Sequence, residues 1–332
     1  MDLTVIWTLV IALGVAMYII LDGFDLGLGI LFPFARREDW RDTMMMSVAP
    51  VWDGNETWLI LGGASLFAAF PKAYSLALEA LYIPLIVFLL ALIFRGVAFE
   101  FRFKAQTSRW AWNLSFAAGS TVAAFAQGVV LGAFVQGLEF EAGRYAGGAF
   151  GWLSPFSVMT GVGLVIGYGL LGATWLIRKT DGNLQDWAFR AARPLAVALL
   201  AFIIAVSLWT PLSQPEIAER WFSLPNIIFL APVPILTALL GLFLLTSLYR
   251  RVEWPPFPAA IGLFLLSYLG LAISLWPYII PRALTIWDAA APRDTQIFML
   301  VGVLIFLPIV LAYTIYVYRV FKGKVQPGEA HY

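Results

Sequence analysis

The sequence predicts an all-α polytopic membrane protein with about nine transmembrane helices. Three observations lead there. The 332 residues are 61% hydrophobic and only 12% charged, with a mean hydropathy of +0.84. Ordinary soluble domains carry about twice that charge. Apolar runs recur at roughly the 20-residue length that a helix needs to cross a bilayer. Finally, Lys and Arg are concentrated in alternate loops.

The nine segments are approximately residues 5–34, 51–70, 76–101, 112–136, 153–177, 192–209, 224–249, 257–278 and 296–318. The first follows Met1–Thr4 directly and is far longer than a signal-peptide core, so it reads as a permanent helix. The second opens on the polar stretch "VWDGNETWLI" before its apolar run. The third is separated from it only by a short break around residues 71–75. The fourth carries one strongly polar mid-helix side chain, Gln127. The fifth to ninth hold no acid or base at mid-depth, and a weak break at residues 211–223 separates the sixth from the seventh. Gly-x-x-x-Gly spacings at Gly23/Gly27, Gly128/Gly132 and Gly163/Gly167 predict close helix packing. Tryptophans near predicted helix ends, such as Trp7, Trp110, Trp152 and Trp254, read as an interfacial belt. The expected grouping is a first bundle over about 5–137, a second over about 153–279 and a peripheral helix over about 296–320, all in one membrane domain.

Charge orients the stack. The odd-numbered loops and the C-terminal tail hold 15 of the 21 basic residues, the other side only Lys72, Arg144, Arg220, Arg282 and Arg293. The positive-inside rule then puts the N-terminus outside a prokaryotic cytoplasmic membrane and the C-terminus in the cytoplasm. All loops are too short for an extramembrane catalytic domain. The absence of cysteine excludes disulfides and thiolate metal sites. A net charge of +1 gives no field for nucleic acid.

Ionisable residues inside the first three segments are the candidate site, because a carboxylate at depth in a bilayer costs a few kcal/mol or more. Asp22 and Asp25 lie well past the midpoint of the first helix, Asp25 roughly 12 Å from its inner end at 1.5 Å per residue. Asp53 and Glu56 lie roughly 5–10 Å above the start of the second by the same rise. Arg95 and Glu100 occupy the last turns of the third. The pairs Asp22/Asp25 and Asp53/Glu56, at i,i+3, fall on one side of their helices. All are thus expected at similar depth, in the cytoplasmic third of the membrane. One arginine cannot neutralise that many acids. Some must be protonated, reached by water or paired with a second protein, which suits proton carriage. A hydrogen-bonded cluster that glues helices is the competing expectation. The first third of the chain is expected to carry function, and the rest to act as scaffold.

"LDGFDLGLGIL", "APVWDGNETWLILGGASLFAAFP" and "FRGVAFEFR", in that order, resemble subunit II of the cytochrome bd-type quinol oxidases. Length and the nine-helix layout agree, while the last two hundred residues contribute only topology. The resemblance implies a non-heme-ligating subunit of a respiratory quinol:oxygen oxidoreductase, reducing dioxygen to water. It implies an obligate heterodimer with a subunit I that carries hemes b and d and the quinol-oxidation site. A small single-span subunit is compatible with it but has no signature in this chain. The residues agree with a heme-free role: His331 lies in a polar tail, Met17, Met159 and Met299 are scattered, and Met44–Met46 cluster at a loop, so no axial ligand set stands out. Asp22, Asp25, Asp53, Glu56 and Glu100 become a candidate proton pathway toward subunit I. Trp52, Asp53 and Arg95 become a candidate structural quinone site, with an indole beside a guanidinium. The alternative reading is a proton-coupled secondary transporter. It expects polar groups at the midplane and in both halves of a repeat, whereas these lie off-centre in one half.

Overall fold

The computed structural model describes residues 2–141 and 143–325; His331 lies outside them. Helix α1 (Leu3–Leu31) starts at Asp2, whose carboxylate accepts from the Thr4 N–H at 2.9 Å, a side-chain cap for an otherwise unpaired donor. A short 3₁₀ turn, Phe32–Phe34, ends the span. Helix α2 (Glu38–Met46) lies beyond it, with Glu38 and Asp39 in its first turn, where the helix dipole favours acids. Helix α3 (Trp52–Ala69) and α4 (Pro71–Phe101) are joined through Phe70 alone. This joint is tighter than the sequence predicts, because Pro71 starts α4 at a position that needs no N–H donor.

Helix α5 (Arg109–Gln136) is followed by a hairpin of two-residue strands, Phe140–Glu141 and Arg144–Tyr145. Helix α6 (Pro155–Lys179) opens with a reciprocal cap between Ser154 and Ser157. Helix α7 (Gly182–Ser213) extends past the predicted segment at both ends and contains Pro194 and Pro211. Helices α8 (Pro215–Phe222) and α9 (Asn226–Leu230) lead into α10 (Pro232–Tyr249). The predicted seventh segment is therefore interrupted at Ala231–Pro232: Ala231 keeps helical geometry, but Pro232 has no N–H to continue the helical hydrogen bonds. Helix α11 (Pro256–Leu275), a hairpin of Tyr278–Ile280 with Leu284–Thr285, α12 (Ile286–Ala289) and α13 (Arg293–Val320) complete the chain.

Among the described residues, eight helical stretches are long and apolar enough to cross a membrane: α1, α4, α5, α6, α7, α9 with α10, α11 and α13. Helix α3 corresponds to the one remaining predicted segment, the second. It spans 18 residues, but Asp53, Asn55 and Glu56 occupy its first turns, which lowers its hydropathy below that of the others. It runs antiparallel to α1, with Gly14 backing onto Gly62.

Helix α1 is the centre of the packing. It lies against α3, α5 and α6, while α4 packs on α5, α6 on α7 and α10 on α11. The whole stretch from Asp22 to Leu31 is buried. Small residues permit this. A Cβ on Gly27 would sit 1.9 Å from the Tyr168 carbonyl oxygen and 2.8 Å from the Gly172 nitrogen, both on α6. Gly128 meets Gly161 in the same way where α5 crosses α6. The spacings at Gly23/Gly27 and Gly128/Gly132 thus serve helix approach, as the sequence predicts, whereas Gly163 and Gly167 face the rings of Phe202 and Phe264.

Helix α13 lies at the edge, against α1 and α3, and Gln296 is its one fully buried residue. Its ends are tied down. At its start, Trp7 Nε1 donates to the Gln296 carbonyl at 3.2 Å. At its end, Lys179 Nζ donates to the carbonyls of Phe321 and, at 3.0 Å, Gly323. Lys324 pairs with Asp181 at 2.5 Å and Glu253 at 2.9 Å, and these two carboxylates hold its ammonium above the usual lysine range. Along α4, Ile86, Leu89, Leu90, Ile93 and Phe94 face outward, as do Leu304, Ile305, Phe306 and Ile309 along α13.

Candidate functional site: a buried carboxylate cluster around Arg95

Asp22 and Asp25 on α1 and Arg95 on α4 are each fully buried. Three successive antiparallel spans bring them together at one depth. Arg95 Nη2 lies 2.7 Å from Asp22 Oδ1 and 3.6 Å from Asp25 Oδ2. Its Nη1 lies 3.3 Å from Glu56 Oε2, the Glu56 side chain being 27% exposed. The helix-start residue Asp53 is exposed. Among the described residues, the ion pairs of Arg95 are with Asp22, Asp25 and Glu56. The acids therefore form a graded series: Asp53 outside, Glu56 partly covered, Asp22 and Asp25 sealed.

Local packing holds Arg95 in place. Gly119 of α5 lies against its turn of α4, where a Cβ would be 2.9 Å from the Arg95 nitrogen. On its other side Trp52 stacks on Phe99, centroids 4.7 Å apart and planes within 4°. The guanidinium carbon is 5.9 Å from the Trp52 ring and 5.8 Å from Phe99. Trp52 and Arg95 are thus neighbours, and Asp53 lies next to Trp52 in the chain.

Glu100 is not part of this group. It points outward and pairs at 3.6 Å with Lys104 in the turn that follows α4. The helical phase explains the separation: Glu100 is five residues from Arg95, about 140° further round the helix axis. Depth is legible in sequence spacing, but azimuth depends on which face the bundle buries.

Two participants lie outside the acids and bases that sequence reasoning singles out. Asn55 is buried, and its Nδ2 donates to Asp25 Oδ2 at 2.8 Å and to the Leu21 carbonyl at 3.3 Å. Tyr318 of α13 donates from its hydroxyl to Asn55 Oδ1 at 2.8 Å. Asn55 stands in the quoted WDGNE stretch and is recoverable there. Tyr318 carries no such signal, because a tyrosine near a span end reads as an interfacial anchor. In mid-bundle, Tyr168 of α6 donates to Gln127 at 3.0 Å, which accounts for the strongly polar mid-helix residue of α5. The later helices thus reach the cluster at α13, through Tyr318.

A second ionic group lies nearer the basic end. Arg102, whose side chain is fully buried, reaches Asp42 at 2.7 Å, Glu38 at 3.1 Å and Asn113 at 2.6 Å. Arg109 joins the same two acids. Burial draws the Arg102 guanidinium below its ordinary value while Asp42 and Glu38 oppose that shift. This group fastens α2 across the ends of α4 and α5.

Chemically, the Arg95 cluster sets three carboxylates against one cation. Removing each ion from water costs several kcal/mol, and one guanidinium balances only one of the three carboxylates. Neither group has a donor set that fits heme. The single histidine lies outside the described residues, and Met44 and Met45 are buried in the apolar core.

The chain matches the family model described as cytochrome bd terminal oxidase subunit II over residues 3–321. It is 30% identical to cytochrome bd-I ubiquinol oxidase subunit 2 of Escherichia coli (strain K12), over 96% of this chain and 94% of that one. It is 28% identical to cytochrome bd ubiquinol oxidase subunit 2 of Bacillus subtilis (strain 168), over 98% and 97%. Its fold matches the solved structure of bd oxidase from Geobacillus thermodenitrificans with a TM-score of 0.80 at 20% identity, covering 97% of this chain and 99% of the other.

Proposed function

The chain belongs to the cytochrome bd terminal oxidase subunit II family, and from that premise we propose that its carboxylate cluster delivers protons to the oxygen-reducing centre of a quinol oxidase. The protein is a subunit of that oxidase, and the family implies hemes in a partner subunit. Reduction of dioxygen to water consumes protons, and a centre buried in low-dielectric protein needs a route of titratable groups for them. This chain supplies groups of that kind at one end of the membrane span.

The observation that carries the reading is the graded burial of Asp53, Glu56, Asp25 and Asp22 about Arg95. Asp53 is the entry, Glu56 the partly covered step, and the two α1 aspartates the buried end. Arg95 holds compensating charge while a proton moves among them. The basic loops beside Asp53 support a cytoplasmic entry and a periplasmic N-terminus.

The test is Asp53→Asn in the assembled complex with heme spectra intact. Turnover and proton uptake in liposomes are expected to fall several-fold. Wild-type turnover ends the role of Asp53 as entry. Lost hemes with failed assembly favour the cluster as helix glue. A bound quinone headgroup at Trp52, Asp53 and Arg95 is a separate proposal, supported by the indole lying beside the guanidinium. Equal quinone retention by wild type and Arg95→Ala would remove it.

A further inference from the structure

We propose that Tyr318, near the end of α13, is a positioning residue for Asp25, acting through the side-chain amide of Asn55. The inference rests on the proton-delivery reading for its functional consequence, but its structural content stands on geometry alone.

The hydrogen bonds form a directed chain. The Tyr318 hydroxyl donates to Asn55 Oδ1 at 2.8 Å, and Asn55 Nδ2 donates to Asp25 Oδ2 at 2.8 Å. An asparagine amide has an acceptor end and a donor end, and a half-turn exchanges them. Only one of the two orientations offers Asp25 a donor. In the other, the amide oxygen would face a carboxylate oxygen inside a sealed site. The Leu21 carbonyl, which can only accept and takes Nδ2–H at 3.3 Å, favours the productive orientation. The Tyr318 hydroxyl holds it by donating to the amide oxygen, which would otherwise be left without a donor.

The remaining charged and titratable neighbours of Asp25 are Asp22 on its own helix, Glu56 on α3 and Arg95 on α4. None of these contacts the acceptor end of Asn55. Tyr318 therefore does something the ionic network does not. It also gives an otherwise peripheral helix a direct link to the buried acids.

The seat of Tyr318 does not depend on its hydroxyl. Its ring meets Trp175 edge-on at 6.4 Å, and Trp175 in turn donates to Ser47 at 3.2 Å. Three residues later the chain is held by Lys179 and then Lys324. Replacing Tyr318 by Phe thus removes the hydroxyl, and with it one hydrogen-bond donor, while leaving the helix anchored.

The experiment uses the purified, heme-loaded complex carrying Tyr318→Phe, Asn55→Ala or both. Infrared difference spectra identify the Asp25 carboxyl band as the one lost in Asp25→Asn. In Tyr318→Phe that band is expected to move, and turnover to fall about three- to tenfold, the worth of one hydrogen bond, with quinol KM unchanged. The double variant is expected to match Asn55→Ala alone, because Tyr318 acts through Asn55. An unmoved Asp25 band in Tyr318→Phe overturns the proposal, as do additive effects in the double variant. A moved band with wild-type turnover supports the positioning role and instead sinks the proton-delivery reading. If Tyr318→Phe loses hemes on purification, the Asp25 band is read in Tyr318→Trp, which keeps an aromatic ring but cannot reach Asn55 Oδ1 in the same geometry; an unmoved band there likewise overturns the proposal.

Discussion

Three acidic side chains converge on Arg95 in a site that water scarcely reaches, so the guanidinium is worth more to folding than any one of its partners. Truncating one member of a buried ion group leaves uncompensated charge and typically costs about 3–5 kcal/mol. Arg95→Ala is therefore expected to lower the melting temperature of the purified complex and the yield of heme-loaded protein. Adding Asp22→Asn should recover part of that loss, since it removes the carboxylate 2.7 Å from the missing cation. Strictly additive losses in the pair would show that the two do not interact. Glu100 provides the contrast. It is exposed and pairs with the exposed Lys104 just past the end of α4, and surface pairs contribute about 0–1 kcal/mol. Glu100→Gln should leave turnover and stability within about twofold and half a kcal/mol of wild type, and a large loss of proton uptake would put it back in the pathway.

Helix packing decides where those residues can meet. Gly27 of α1 lies against the backbone of α6 so closely that even a methyl group has no room. Gly27→Ala should lower the melting temperature measurably. Gly63→Ala, at a helical position with open space around it, should be neutral or stabilising by up to about 1 kcal/mol, the helix propensity difference. Equal behaviour of the two would remove the close-approach argument. At the basic end, Arg102→Ala takes away the buried cation that joins Asp42, Glu38 and Asn113. Amides of α2 should then exchange hydrogen faster, while those of α1 between Asp22 and Leu31 stay protected. The elements themselves were largely legible in the sequence. Apolar length locates every long span, and acids at matching depth locate Asp22, Asp25, Glu56 and Arg95 as a group. The azimuth of Glu100, the break at Pro232 and the arrival of Tyr318 were not legible, because each depends on how helices far apart in the chain rotate and pack against one another.

At the scale of the whole molecule, asymmetry of charge meets asymmetry of structure. The carboxylate cluster, the Arg102 clamp and the lysine ties on the end of α13 all lie toward the basic loops. The opposite end is closed by hairpins and short helices, joined by contacts such as Ala291 N–H to the Ala69 carbonyl at 2.8 Å. The outward apolar faces of α4 and α13 must meet lipid or another subunit, since neither face is covered within this chain. If protons enter at Asp53, the basic end must face the compartment that supplies them, which makes orientation a test of mechanism. The sequence contains no cysteine, so single cysteines can report it without background. Ser108→Cys sits in the exposed loop between α4 and α5, and Glu141→Cys in the exposed hairpin after α5. An impermeant maleimide applied to intact spheroplasts is expected to label Glu141→Cys and spare Ser108→Cys, with the reverse in inverted vesicles. Labelling of Ser108→Cys from outside would place the basic end in the periplasm, where uptake through Asp53 would draw protons from the side that respiration is meant to charge.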